Sequence, residues 1–272
     1  QGMPMLVGIL AVPLFAYHFL TTGGTTLSAG LEASGADSAN FLNLMKNGDG
    51  SNNIVSVISG LGWGLGYFGM PHILVRFMAV RDEKEMTKSK ATAISWVALS
   101  LGFAVFIGTL GRAYLPELVN GNNEKVFIEM IKKVFTVEMR APFIAGLFLC
   151  GILAAIMSTA DSQLLVSASS VAEDIFKGLL KKDADDKTVM NVSRVTVLVV
   201  AVLAYIIAWN PNNTVMGLVS NAWAGLGAAF GPLVVMSLYW KRTNFPGAVA
   251  GIVTGALAVI IWDYIPLVGG QT

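Results

Sequence analysis

Seven separate runs of mostly apolar residues dominate this sequence, each about as long as the 20 residues that carry a helix across a bilayer. They cover roughly 3–20, 54–78, 92–111, 142–171, 192–209, 215–240 and 246–265. Such runs have few options in lipid, because backbone N–H and C=O groups there find no water and must bond to one another. The pattern predicts an all-α, polytopic membrane protein: one transmembrane domain over residues 1–272 with about seven spanning helices. Composition agrees, since 13% of the residues are charged and 54% hydrophobic, against roughly 25% charged in soluble domains. The balance of 18 basic and 17 acidic residues leaves no basic excess to attract nucleic acid. One cysteine, Cys150, excludes an internal disulfide, and two histidines offer little to a transition metal. The run at 3–20 lacks the basic n-region and A-x-A site of a signal peptide and reads as a span. A start at Gln1 rather than Met reads as a portion of a longer protein.

Charge sets the orientation. The loops 76–90, 177–194 and 241–242 fall on one side and hold 12 of the 18 Lys and Arg residues, which marks that side as cytoplasmic. Residues 21–53 and 112–140 then form extracellular loops. Trp96, Trp209, Trp240 and Trp262 sit near segment ends, as an aromatic belt requires, whereas Trp63 and Trp223 lie within segments. In the second outer loop, Val126, Phe127, Met130, Ile131, Val134 and Phe135 share one helical face, so 122–135 reads as an amphipathic helix at the membrane interface. Gly227 and Gly231, and Gly247, Gly251 and Gly255, repeat at the spacing of small-xxx-small helix packing.

Two stretches carry the chemistry. In Gly60-Leu-Gly-Trp-Gly-Leu-Gly-Tyr-Phe-Gly-Met-Pro71, five glycines and a proline interrupt a spanning segment. In a helix interior Gly costs about 1 kcal/mol against Ala, and Pro about 3. A helix broken between Gly62 and Pro71 would line a cavity, with Trp63 and Tyr67 as an aromatic wall and freed backbone groups to hold a zwitterion's ends. Close helix packing with a proline kink is the other reading. The embedded Gly64-x-Gly66-x-x-Gly69 lies inside an apolar span and lacks the strand-to-helix context of a dinucleotide site.

The second stretch, Ala154-Ala-Ile-Met-Ser-Thr-Ala-Asp-Ser-Gln163, is polar within an otherwise hydrophobic segment. The hydroxyls of Ser158 and Thr159 can bond back to carbonyls one turn earlier, or join backbone oxygens around a hard cation. Asp161 is an acid in a spanning run, where such residues face a cavity or a partner; a wet inner vestibule is the plainer setting for it. His72 and Arg76 read as an interfacial histidine and a snorkelling arginine. No Ser-His-Asp pattern and no H-E-x-x-H occurs, so an enzyme is not expected.

Residues 62–77, Leu153-Ala-Ala-Ile-Met-Ser-Thr159, Glu173-Asp174, Gly217-Leu-Val-Ser220 and Ala228-Ala-Phe-Gly-Pro232 together resemble the sodium:solute symporter family. The resemblance implies an inverted-repeat, amino-acid-transporter-type helix bundle, with the second repeat present and the first missing. It implies sodium-coupled import of a small zwitterion by alternating access, with proline the first candidate and another amino acid or pantothenate the alternatives. A non-transporting membrane sensor would keep the same fold. By the same resemblance, the Ala155 carbonyl and the Ser158 and Thr159 hydroxyls are sodium ligands, and Trp63, Tyr67 and Pro71 belong to the substrate site. The expected partners are the solute, the sodium ion and membrane lipid. Sodium serves as coupling ion with no further cofactor, and the setting is a multi-pass protein of the cell membrane. As a portion without the first repeat, the chain alone is not expected to transport.

Overall fold

The structure, a computed structural model, describes residues 2–70, 73–74, 80–118, 123–210 and 214–264. Among them there is no strand, only one isolated antiparallel bridge between Lys46 and Asn52. The principal helices are α1 (Gly2–Thr22), α2 (Leu27–Ala33), α3 (Ser38–Phe41), α4 (Ile54–Gly66), α5 (Glu83–Tyr114), α6 (Val126–Ile131), α7 (Pro142–Ser169), α8 (Asp186–Ala208), α9 (Val215–Tyr239) and α10 (Phe245–Tyr264). The all-α membrane architecture expected from the apolar runs is therefore present. Six described helices are long and apolar enough to cross a membrane: Met5–Thr22, Lys84–Tyr114, Pro142–Leu180, Asp186–Ala208, Val215–Tyr239 and Phe245–Trp262. The run expected at 54–78 appears as a shorter apolar helix, Ile54–Gly69, and its continuation lies mostly outside the described residues.

Helices α1, α5 and α8 outlast their apolar runs, and α7 does so with its continuation. Pro142–Leu180 is continuous over 39 residues, with π-helical geometry from Ser170 to Leu180. At about 1.5 Å per residue this is nearly twice the roughly 30 Å of hydrocarbon, so its acidic Glu173 and Asp174 extend past the apolar layer. Beyond it, Ala172, Ala184 and Val189 form a small cluster with Phe176 and Val192 that closes the turn into α8. The Thr188 hydroxyl donates to Asp185 at the start of α8 and holds that carboxyl below the usual carboxylate range.

The chain divides into two compact units. The first contains residues 1–43, 47–50 and 88–210. Its core gathers Val12 and Ala16 of α1, Leu31 of α2, Leu110 of α5 and Ala145 of α7 around the segment 123–138. That segment is a 3-10 turn (Asn123–Lys125), then α6, then a π-helical turn (Lys132–Glu138). Its apolar face does not rest on lipid. Met130, Ile131 and Val134 are 0% exposed and Phe135 1%. The Phe135 ring meets Phe148 at 4.9 Å and Phe15 edge-on at 5.7 Å. The Lys133 ammonium donates to the Tyr114 carbonyl at 2.8 Å and lies 4.3 Å over the Tyr114 ring. An interfacial helix and a buried one share the same amphipathic pattern, and the apolar ends of α1, α5 and α7 supply the second surface that decides between them. Arg140, at φ 52°, then turns the chain into α7, whose first residue is Pro142.

The second unit holds residues 44–46, 51–87 and 211–272. In it α9 packs against both α10 and the α4 segment.

The buried face of 123–138 yields the first expectation. Truncating Phe135→Ala should destabilise the first unit by about 3–5 kcal/mol, as for other fully buried aromatics. Val137→Ala, on the 65% exposed side of the same turn, should stay within about 0.5 kcal/mol. Unfolding midpoints in detergent check this; equal effects would return the segment to the membrane surface.

Candidate functional site

Helix α4 runs unbroken through Gly60, Gly62 and Gly64 to Gly66, loosens into a 3-10 turn over Tyr67–Gly69, and ends with Met70 extended at φ −89°, ψ 109°. The departure from α geometry thus falls in the second half of the expected Gly62–Pro71 interval. The extended Met70 has a local cause: the residue before a proline is driven from the α region toward extended backbone, and Met70 precedes Pro71. Pro71, His72 and Arg76 themselves lie outside the described residues.

The glycines divide into two groups. A Cβ on Gly66 would collide with the Trp223 indole, and one on Gly69 with the Leu226 carbonyl and, at 2.7 Å, the Gly227 Cα. A Cβ on Gly227 would lie 2.9 Å from the Gly66 Cα. Here α4 crosses α9 backbone to backbone, which only glycine permits. Around Gly60, Gly62 and Gly64 the opposite holds, since a Cβ there would meet nothing within 4 Å. Packing and cavity lining, alternatives on spacing alone, are both present at different turns of one helix.

The crossing builds an aromatic cluster within the second unit. At the end of α4 the Tyr67 amide turns to the Leu65 carbonyl. The Trp63 carbonyl accepts instead from the Trp223 indole N–H at 3.1 Å. The Trp63 and Trp223 rings stack at 5.9 Å with planes 23° apart, and Tyr67 meets Trp223 edge-on at 4.8 Å. A cavity of about 630 Å³ opens beside them, lined by Ser59, Gly62 and Trp63 from α4 and by Ser220, Trp223 and Pro232 from α9. The volume falls in the range of small-molecule sites, and a few hydroxyls in a mainly apolar wall are their usual chemistry. Trp63 and Tyr67, singled out from sequence, do come together. Trp223 holds them there, and its position inside a spanning run was the signal for it.

The hydroxyl pair lies in the first unit, on α7. The Thr159 hydroxyl donates to the Ala155 carbonyl at 3.1 Å, and the Ser158 carbonyl accepts from the Ser162 hydroxyl at 3.0 Å. Ala155 and Ser158 are half-buried, while Thr159 and Asp161 are exposed. Back-bonding and cation binding are compatible here. A donating hydroxyl keeps two lone pairs. The Thr159 hydroxyl therefore presents an acceptor oxygen of the hard type a sodium ion takes, whereas the Ala155 carbonyl, which also takes the Thr159 amide within the helix, would have to be shared or locally freed. Asp161 lies about 30 Å along the helix axis from Pro142, given about 1.5 Å per residue.

The glycine grouping generates a second expectation. Gly227→Ala should force the α4–α9 crossing apart and destabilise by about 1–3 kcal/mol. Gly64→Ala adds a methyl to open space in a helix and should be neutral or stabilising by up to about 1 kcal/mol. Thermal unfolding of the two variants side by side checks the difference, and equal losses would rule out the crossing.

The comparisons with known proteins extend over nearly the whole chain. The family model of the sodium:solute symporter family matches residues 1–255. A sodium/proline symporter of Staphylococcus aureus is 43% identical over 267 residues, covering 96% of this chain and 50% of that protein. A sodium/proline symporter of Escherichia coli (strain K12) is 48% identical over 223 residues, covering 80% of this chain and 43% of that protein. The chain thus spans about half the length of the relatives it matches. No solved structure matches it.

Proposed function

Because the chain belongs to the sodium:solute symporter family, we propose that it forms part of a sodium-coupled transporter that imports proline by alternating access across the cell membrane. The observation that carries this reading is the aromatic cluster beside the 630 Å³ cavity. Proline is a compact zwitterion with an apolar ring. The stacked faces of Trp63 and Trp223 suit the ring, and a ring ammonium is attracted to an aromatic face. The Ser59 and Ser220 hydroxyls can donate to the carboxylate. Relatives that are sodium/proline symporters at 43% and 48% identity support the same solute. Tyr67 braces Trp223 edge-on, and Pro71 fixes the extended backbone that ends the helix.

In this reading the sodium ion is co-transported cargo. The Ala155 carbonyl and the Ser158 and Thr159 hydroxyls contribute to its site, and Asp161 lies in a polar inner vestibule. Coupling then amounts to two ligands favouring the same conformation, so that occupancy of one site raises affinity at the other.

The test uses the intact polypeptide that carries this chain. Thr159→Ala removes one oxygen at little change in volume, and should raise the sodium concentration for half-maximal proline uptake at least tenfold while protein in the membrane stays nearly constant. Thr159→Ser keeps the oxygen and should be mild. Trp63→Ala should raise the proline concentration needed for half-maximal uptake with the sodium response retained. A normal sodium dependence in Thr159→Ala would leave that hydroxyl with back-bonding alone. Failure of unlabelled proline to compete, while another amino acid or pantothenate does, would reassign the solute.

A further inference from the structure

The glycine repeat of α10 is only partly used in packing. Gly255 meets α9 closely: a Cβ there would collide with the Ala228 carbonyl and come within 3.0 Å of the Ala229 Cα. Around Gly251 a Cβ would meet nothing within 4 Å, and around Gly247 only the side chain of Asn244, its own helix cap. Where the repeat leaves off packing, α9 and α10 diverge. The gap is a trough of about 280 Å³, floored by Gly247 and Gly251 and walled by Pro232, Leu233 and Met236.

The mouth of the trough differs from its floor. Trp240 and Arg242 line it, on the turn between α9 and α10. Several backbone groups of this turn already have partners. The Thr243 hydroxyl donates to the Met236 and Trp240 carbonyls at 3.2 and 2.8 Å, the Gly247 amide is taken by the Asn244 side chain at 2.9 Å, and Pro246 has no amide to offer. None of these bonds uses the Arg242 side chain, and among the described residues it forms no ion pair. The Lys and Arg distribution puts this turn on the cytoplasmic side, where the leaflet is anionic and a basic residue at the surface attracts its headgroups.

We propose that this trough binds one anionic phospholipid. The guanidinium of Arg242 pairs with the headgroup phosphate, a planar donor set suited to that anion. Trp240 sits at headgroup level, as amphipathic rings do at membrane interfaces. One acyl chain lies along Gly247 and Gly251, where the absence of side chains lets it enter between α9 and α10. The site needs charge and trough together. An arginine without the trough would hold any phosphate, and the trough without the arginine would not distinguish one phospholipid from another.

The test is native mass spectrometry of the intact polypeptide in a neutral detergent, titrated with phosphatidylglycerol, phosphatidylcholine or inorganic phosphate. Phosphatidylglycerol should be retained in preference to phosphatidylcholine. Arg242→Gln should weaken phosphatidylglycerol binding about fivefold, the usual effect of one basic residue near an anionic surface, and leave phosphatidylcholine unchanged. Gly251→Leu should fill the trough and weaken both lipids. Should that variant fail to reach the membrane, Gly251→Ala serves in its place, because its methyl enters open space and should still reduce lipid retention. Inorganic phosphate should not displace the lipid. Unchanged phosphatidylglycerol binding in Arg242→Gln would overturn the site. So would full displacement by phosphate, which would mark a free-anion site, or indifference of both lipids to the Gly251 variants, which would mark a trough closed by protein.

Discussion

Every backbone polar group held in hydrocarbon must find a partner inside the protein, and this constraint organises the chain most visibly where a helix is interrupted. At the end of α4 the Trp63 carbonyl accepts from the Trp223 indole. That bond joins the glycine contacts of the same crossing in tying together two elements distant in sequence, with the stacked rings beside the cavity. In α9, Pro232 has no amide for the Ala228 carbonyl, and Gly255 of α10 draws its backbone up to that oxygen. A glycine Cα–H is a weak partner, but no other residue could come so close. The aromatic wall, the α4–α9 crossing and the α9–α10 contact are thus answers to one requirement.

Small residues serve that requirement in opposite ways. Gly66, Gly69, Gly227 and Gly255 sit where a methyl group would strike a neighbouring backbone or ring, whereas Gly62, Gly64 and Gly251 sit where it would touch nothing. The first group brings helices together. The second leaves open space, at Gly62 beside the cavity next to α4 and at Gly251 beside the trough next to α10. Helix packing and ligand space in this unit are consequently adjacent, separated by a turn or two of the same helices.

The hydroxyl pair on α7 shows a related economy. A threonine bonded back to its own helix satisfies itself without leaving the helix, and the lone pairs it keeps stay available. The donation from Thr159 to Ala155 fixes the direction of the hydroxyl, so its free lone pairs point away from its own helix.

The sequence by itself determined the helical membrane architecture, because apolar run length and the need to satisfy the backbone in lipid allow little else. It also determined the extended backbone at Met70, since Pro71 restricts that residue whatever surrounds it, and it singled out Trp63, Tyr67 and the hydroxyl run. Tertiary structure alone decided three further matters. The amphipathic face of 123–138 went into a protein core, because α1, α5 and α7 bring apolar surfaces to it that no local pattern reveals. Each glycine became a contact or a gap according to whether a distant backbone lay opposite. Trp223 became the centre of the aromatic cluster through a partner 160 residues away. Periodicity reports which face of an element is apolar. What that face meets is set by contacts between segments far apart in sequence, and those exist only once the chain has packed.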